Sequence, residues 1–216
     1  MPAEETIEQI IARRAEFLTA YQDARYAARY RAIVSAVRAD ELDRLPGSQR
    51  FTQAVARALF KLMAYKDEYE VARLHTDTGL KQRLRREFEG DFTIKYHLAP
   101  PLLPASRDAR GRPLKRAFGS WIEPAFRGLA RLRFLRGTPF DPFGHTRERR
   151  TERHLIGWYE SLLTELRPLL DAKTVATMIE IASLPMDIRG YGPVKDAAVE
   201  KVMTRLDSLR ARLAQQ

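Results

Sequence analysis

The chain has 216 residues, 44% of them hydrophobic, and a formal net charge of +10. It contains no cysteine, which excludes disulfides, thiolate zinc sites and the cysteine ligands of iron–sulfur clusters from this chain. The composition is globular and no apolar run is long enough to span a bilayer; the Met1-Pro2-Ala3-Glu4-Glu5 start carries acids where a signal peptide has bases, so a cytoplasmic protein is expected.

Ile7, Ile10, Ile11, Arg14, Phe17, Leu18 and Tyr21 recur at helical spacing, with Arg14 fitting the apolar stripe through its stem. Tyr26, Tyr30, Ile33, Val34 and Val37 resume the pattern, as one bent helix or two, up to the turn signal Leu45-Pro46-Gly47. Ser48 is placed to cap the next helix. Phe51, Val55, Ala58, Leu62, Tyr65, Tyr69 and Ala72 then step by fours and threes, which predicts one long helix, with Lys66 and Glu70 one turn apart and able to pair on its flank.

The period changes at Phe92, Ile94, Tyr96 and Leu98, which alternate with Thr93, Lys95 and His97 and predict a strand ended by Ala99-Pro100-Pro101. A turn at Asp108-Ala109-Arg110-Gly111 and a second strand near 114–118 complete a predicted hairpin. Further helices are marked by Ile122, Ala125, Leu129 and Leu132, ended by Gly137; by Leu155, Tyr159, Leu162, Leu166 and Leu169; by Val175, Met178, Ile179 and Ala182, stopped by Pro185; and by Val199, Val202, Leu206, Leu209 and Leu213. The expected fold is mainly α: one bundle-like domain over residues 1–216, with helices over about 4–75 and 121–214 and a small β-hairpin insertion within about 90–120. Its plausible inner boundary is the Pro- and Gly-rich stretch from Ala99 to Pro113.

The basic excess is concentrated. Between Arg107 and Arg153 stand 13 Arg and Lys against 5 Asp and Glu. Such a stretch attracts nucleic acid, a phosphate-bearing ligand or an acidic protein face, or is a solvated arginine-rich surface. No recognition-helix, zinc-finger or RNP-like pattern accompanies it, so nucleic acid is the weaker expectation.

No catalytic residue stands out. His75, His97, His145 and His154 form no His-Glu-x-x-His and no pair at helical spacing, so no metal site is predicted. Gly119-Ser120-Trp121 lacks the second glycine of a nucleophile elbow, and no P-loop is present. Three candidates remain. Arg189, Gly190, Gly192 and Lys195 precede or open a helix, with Pro193 at its start, as in an anion-binding loop or a plain connection. Asp141 and His145 frame a second loop, Asp141-Pro142-Phe143-Gly144-His145, followed by an arginine-rich helix start that calls for anionic neighbours. Lys66, Asp67, Glu68, Glu70 and Arg73 crowd together, as either a functional cluster or a buried ion-pair network; the network is the favoured reading.

Four stretches carry a family resemblance. They are Ala56–Leu74 (ARALFKLMAYKDEYEVARL), Phe92–Leu102 (FTIKYHLAPPL), Arg136–Gly144 (RGTPFDPFG) and Leu184–Lys195 (LPMDIRGYGPVK). Together they resemble the C-terminal region of the fused indolepyruvate:ferredoxin oxidoreductases, in the 2-oxoacid:acceptor oxidoreductase family. The resemblance implies a parent enzyme that decarboxylates aryl 2-oxoacids with thiamine diphosphate, passes electrons through iron–sulfur clusters to ferredoxin and forms an acyl-coenzyme A. The thiamine domain and the cluster cysteines lie elsewhere in such enzymes, so the resemblance carries over no catalytic residue; the expectation for this chain, a helical scaffold without chemistry of its own, is an accessory domain that packs against the catalytic domains. Gly90-Asp91-Phe92 is not the Gly-Asp-Gly run of a thiamine diphosphate site. An alternative role within the same enzyme is to hold the phosphates of coenzyme A on the basic stretch and the Arg189–Lys195 loop.

Overall fold

The computed structural model describes residues 5–76, 79–87, 93–98 and 114–216. Among the described residues the protein is mainly helical with a small two-stranded antiparallel sheet, as the periodicities predict. Where the sequence reading treats 1–216 as one domain, the chain divides into two compact units: Met1–Tyr65 with Thr146–Gln216, and Lys66–His145. The Ala99–Pro113 stretch and the Asp108–Gly111 turn lie outside the described residues.

The first unit is built from α1 (Ile7–Tyr21), α2 (Ala24–Arg44), α3 (Arg50–Met63), α7 (Arg147–Leu166), α8 (Val175–Ser183) and α9 (Pro193–Leu213). The first two helices are separate, because Asp23 accepts the Tyr26 amide at 2.7 Å and starts a new helix just after α1 ends. Thr6 and Gln9 form a capping box on α1. The α3 helix is central and packs on α1, α2, α7 and α8. Its buried face is broader than the predicted stripe, adding Ala56, Leu59 and Met63 to Phe51, Val55, Ala58 and Leu62.

Buried and half-buried tyrosines tie this core together. The hydroxyls of Tyr21 and Tyr26 donate to the carbonyls of Tyr65 (2.8 Å) and Met63 (3.0 Å), which the end of α3 leaves without helical partners. Tyr159 of α7 donates to the Ala182 carbonyl at the end of α8, at 2.7 Å. The Arg14 guanidinium lies 5.2 Å over the Phe60 ring, so its stem does run along the core.

The start of α3 corrects a prediction. Its cap position is Gln49, whose side chain caps nothing, and Ser48 instead donates to Glu41 of α2 at 2.6 Å. Glu41 is fully buried and performs the capping from a different helix. Its carboxylate accepts the amides of Phe51 (3.0 Å) and Thr52 (2.7 Å) and the Thr52 hydroxyl (2.7 Å). Burial works to raise its pKa, but the bonds from Ser48, Thr52 and Phe51 outweigh burial and hold it below 4.5.

The second unit contains α4 (Glu68–Thr76), α5 (Leu80–Glu87), β1 (Tyr96–Leu98), β2 (Arg116–Phe118) and α6 (Glu123–Arg131). The predicted long helix over 51–72 is therefore two helices. The chain leaves helical geometry at Ala64 and restarts on Asp67, whose carboxylate accepts the Glu70 amide at 2.8 Å. The strand predicted from Phe92 is confined to Tyr96–Leu98, paired with Tyr96 opposite Phe118; Phe92 lies outside the described residues. Tyr96 packs with Phe126, Ala130 and Ala72 in a small core, where α4 lies on α6. On α6 the inward residues are Phe126 and Ala130, whereas Ala125 and Leu132 of the predicted stripe are exposed; the run past Arg131 is a 3-10 turn, which rotates the face. Leu169 is likewise exposed, on a 3-10 turn after α7.

Candidate functional site

In the second unit two of the three predicted sites merge into one buried network. The Asp67 carboxylate that starts α4 also receives Arg136, through Nε at 2.5 Å and a terminal nitrogen at 2.9 Å. Asp67 and Arg136 are 3% and 5% exposed, so this is a desolvated, two-pronged ion pair. The Arg136 guanidinium also lies 5.5 Å over the Tyr69 ring. Tyr69 donates its hydroxyl to Asp141 at 3.0 Å and meets Phe143 edge-on at 5.4 Å. Burial and the Asp141 carboxylate push the Tyr69 hydroxyl well above its ordinary range, so it stays a donor.

Asp141 is 3% exposed and folds its own loop. It accepts Tyr69, the Gly137 amide (2.9 Å) and the Phe143 amide (3.1 Å). Gly144 has to be glycine: a Cβ there would sit 2.6 Å from an Asp141 oxygen. The Asp141–Gly144 motif is thus consumed in shaping a turn, and its carboxylate faces away from solvent. His145 is exposed, with Nε2 3.2 Å from the Pro139 carbonyl. His145 is thus exposed where Asp141 is buried.

The charged cluster divides similarly. Glu70 pairs with Arg73 through two bonds of 2.8 Å, not with Lys66 as the spacing allows, because α4 begins only after Lys66. Lys66 is exposed and Glu68 half-buried. Asp67, Glu70 and Arg73 are therefore held in buried or nearly buried pairs, the favoured sequence reading for this cluster.

In the first unit the Arg189–Lys195 loop connects the 3-10 turn Leu184–Asp187 to α9. Gly190 has φ +96°, and a Cβ there would meet Val194 Cγ1 at 2.6 Å, so the loop folds back on the helix it precedes. Lys195 is bonded to Glu152 of α7, both nearly buried. Arg189 donates from Nε to the Met186 carbonyl at 3.3 Å. Arg147, at the start of α7, pairs with Asp196 in the first turn of α9 at 3.0 Å. Arg149 lies 5.8 Å over Tyr65. The arginine-rich helix start thus finds carboxylates and an aromatic face as neighbours. A concavity of about 280 Å³ between these helix starts is lined by both signs of charge, Arg147, Lys195, Glu152 and Asp196 among them.

Sequence reasoning missed the residue that joins this loop to the core. Lys61 of α3 donates from Nζ to the carbonyls of Pro185 (2.6 Å), Met186 (2.8 Å) and Ile188 (2.8 Å). Its three ammonium donors thus meet three carbonyls at the end of a helical turn, where Pro185 also accepts the Ile188 amide and Met186 also accepts Arg189. Burial, with Arg189 and Lys195 nearby, lowers this ammonium to about 8.

Among the described residues no group of His, Asp and Glu is placed to hold a metal ion, and no helix is long and apolar enough to cross a membrane. No curated protein and no solved structure matches the chain. A family model does match, over residues 7–208, and its family is one of unknown function, DUF6537. That span takes in all but the ends of the chain, and the protein belongs to this family.

Proposed function

We propose that the chain is a non-catalytic accessory domain of a cytoplasmic indolepyruvate-type (aryl 2-oxoacid) ferredoxin oxidoreductase, where it packs against the thiamine diphosphate and acceptor domains. Those domains supply thiamine diphosphate, iron–sulfur clusters and the coenzyme A step, and ferredoxin is the partner of the whole enzyme. The observation that supports this reading is where the distinctive stretches spend their polar groups. Lys61 of the first stretch holds carbonyls of the last, and Asp67 and Tyr69 of the first hold Arg136 and Asp141 of the third. Motifs spent on one another specify a scaffold. Large apolar side chains left exposed, Trp121, Phe134 and Phe140 among them, suit a scaffold that is covered by other protein.

Coenzyme A or phosphate binding by Arg189–Lys195 has less support, since Lys195 is committed to Glu152 and Arg189 faces a carbonyl. Co-expression of the tagged chain with a thiamine diphosphate-binding oxidoreductase subunit tests the proposal. Stoichiometric co-purification through size exclusion is expected. Separate elution of two folded proteins contradicts it.

A further inference from the structure

We propose that a groove along the N-terminal half of α9 receives an acidic amphipathic helix of a partner protein; this rests on the accessory reading and adds the chemistry of the contact. The groove has a volume of about 760 Å³. Its floor is Val194, Ala197 and Ala198, spaced three and four apart and so on one face of α9. Alanines there let a second helix approach closely, and Val194 is left 66% exposed.

The lips are cationic: Arg189, Lys201 and Arg205. The carboxylate among the lining residues is Asp187, which sits 3.2 Å from Arg205. Lys201 has no hydrogen bond or ion pair among the described residues. An apolar trough between positive lips selects an apolar ridge flanked by carboxylates. A helix with large apolar residues three and four apart and Glu or Asp beside them presents that pattern. A phosphate alone leaves the floor uncovered.

The test uses the full chain and three labelled helical peptides, read by fluorescence anisotropy. One has Leu at the ridge and Glu on both flanks, one replaces Leu by Ser, and one replaces Glu by Lys. The Leu/Glu peptide is expected to bind at least about tenfold more tightly than either of the others. Ala198→Trp, which fills the trough, and Lys201→Glu are each expected to weaken it about tenfold, while Arg131→Glu on α6 leaves it unchanged. Lys201→Met, which keeps the apolar stem, separates loss of charge from loss of fold. Equal binding of the Ser peptide, displacement by mixed-sequence DNA or anionic vesicles, self-association of the chain through this face, or no saturable binding overturns the proposal. Co-purification with the thiamine diphosphate subunit is read on the same Ala198→Trp variant. Retained association without peptide selectivity refutes the groove and leaves the accessory reading intact. A wild-type chain that binds the Leu/Glu peptide but no such subunit refutes the accessory reading alone.

Discussion

Removing the Glu41 carboxylate is expected to destabilise the first unit by a definite amount. In Glu41→Ala the buried amides of Phe51 and Thr52 lose their acceptor at the start of α3, where no helical carbonyl replaces it. Each unmet buried amide costs about 1–3 kcal/mol, the buried Thr52 hydroxyl loses its acceptor as well, and the half-buried Ser48 hydroxyl turns to water. The expected loss is about 4 kcal/mol. Glu41→Gln keeps one acceptor oxygen but turns an NH2 toward one of the two amides, so about 2 kcal/mol is expected. Urea unfolding followed by circular dichroism reads both, with a lower midpoint and an unchanged slope. The pH dependence adds a second constraint. The folded carboxylate titrates below 4.5, so its contribution is complete above that value and fades as pH falls through the lower folded value. The gap between wild type and Glu41→Gln must therefore narrow in acid. A loss below about 1 kcal/mol for Glu41→Ala, or a gap that stays constant down to strongly acid pH, refutes the trans-helix cap.

Other perturbations separate structural from functional residues. Arg136→Met leaves the buried Asp67 carboxylate without its cation and is expected to cost about 3–5 kcal/mol by denaturant titration, with exposed Lys66→Met near zero as the control. Gly144→Ala must displace the Asp141 carboxylate and is expected to lose about 1–3 kcal/mol, with broadened Tyr69 and Phe143 ring signals by NMR. Lys61→Met removes the ammonium from the Pro185, Met186 and Ile188 carbonyls, of which Pro185 keeps the Ile188 amide and Met186 keeps Arg189. About 2 kcal/mol of stability is expected to go, with faster amide exchange confined to the turn before α9. Because the Lys61 ammonium titrates near 8 when folded, below the 10.5 of an ordinary lysine, the wild type gains stability relative to Lys61→Met as pH rises between those values.

The helices were legible because their apolar spacing is regular, and the hairpin because the period changes over Phe92–Leu98. The break between α3 and α4 was hidden by Tyr65 and Tyr69, which keep helical spacing across it and serve different cores. Its signal was nonetheless present: Asp67 with Glu70 three residues later is a helix-start pattern. Glu41 also left a trace, as an acid continuing the α2 stripe of Ala27, Tyr30, Val34 and Val37. The predicted charged cluster and the predicted Asp141 loop could not be joined from sequence, because the residue linking Asp67 to the loop, Arg136, is 69 positions away. Lys61 gave no signal at all, since its partners are backbone carbonyls, which sequence does not distinguish.

Aryl 2-oxoacid-dependent reduction of a viologen dye, assayed on the chain alone, on the catalytic domains alone and on the two recombined, addresses the central claim most directly. No turnover by the chain is expected, with a faster or longer-lived reaction when it is added to the catalytic domains. Turnover or a bound cluster in the chain alone, or catalytic domains indifferent to its presence, would contradict that claim.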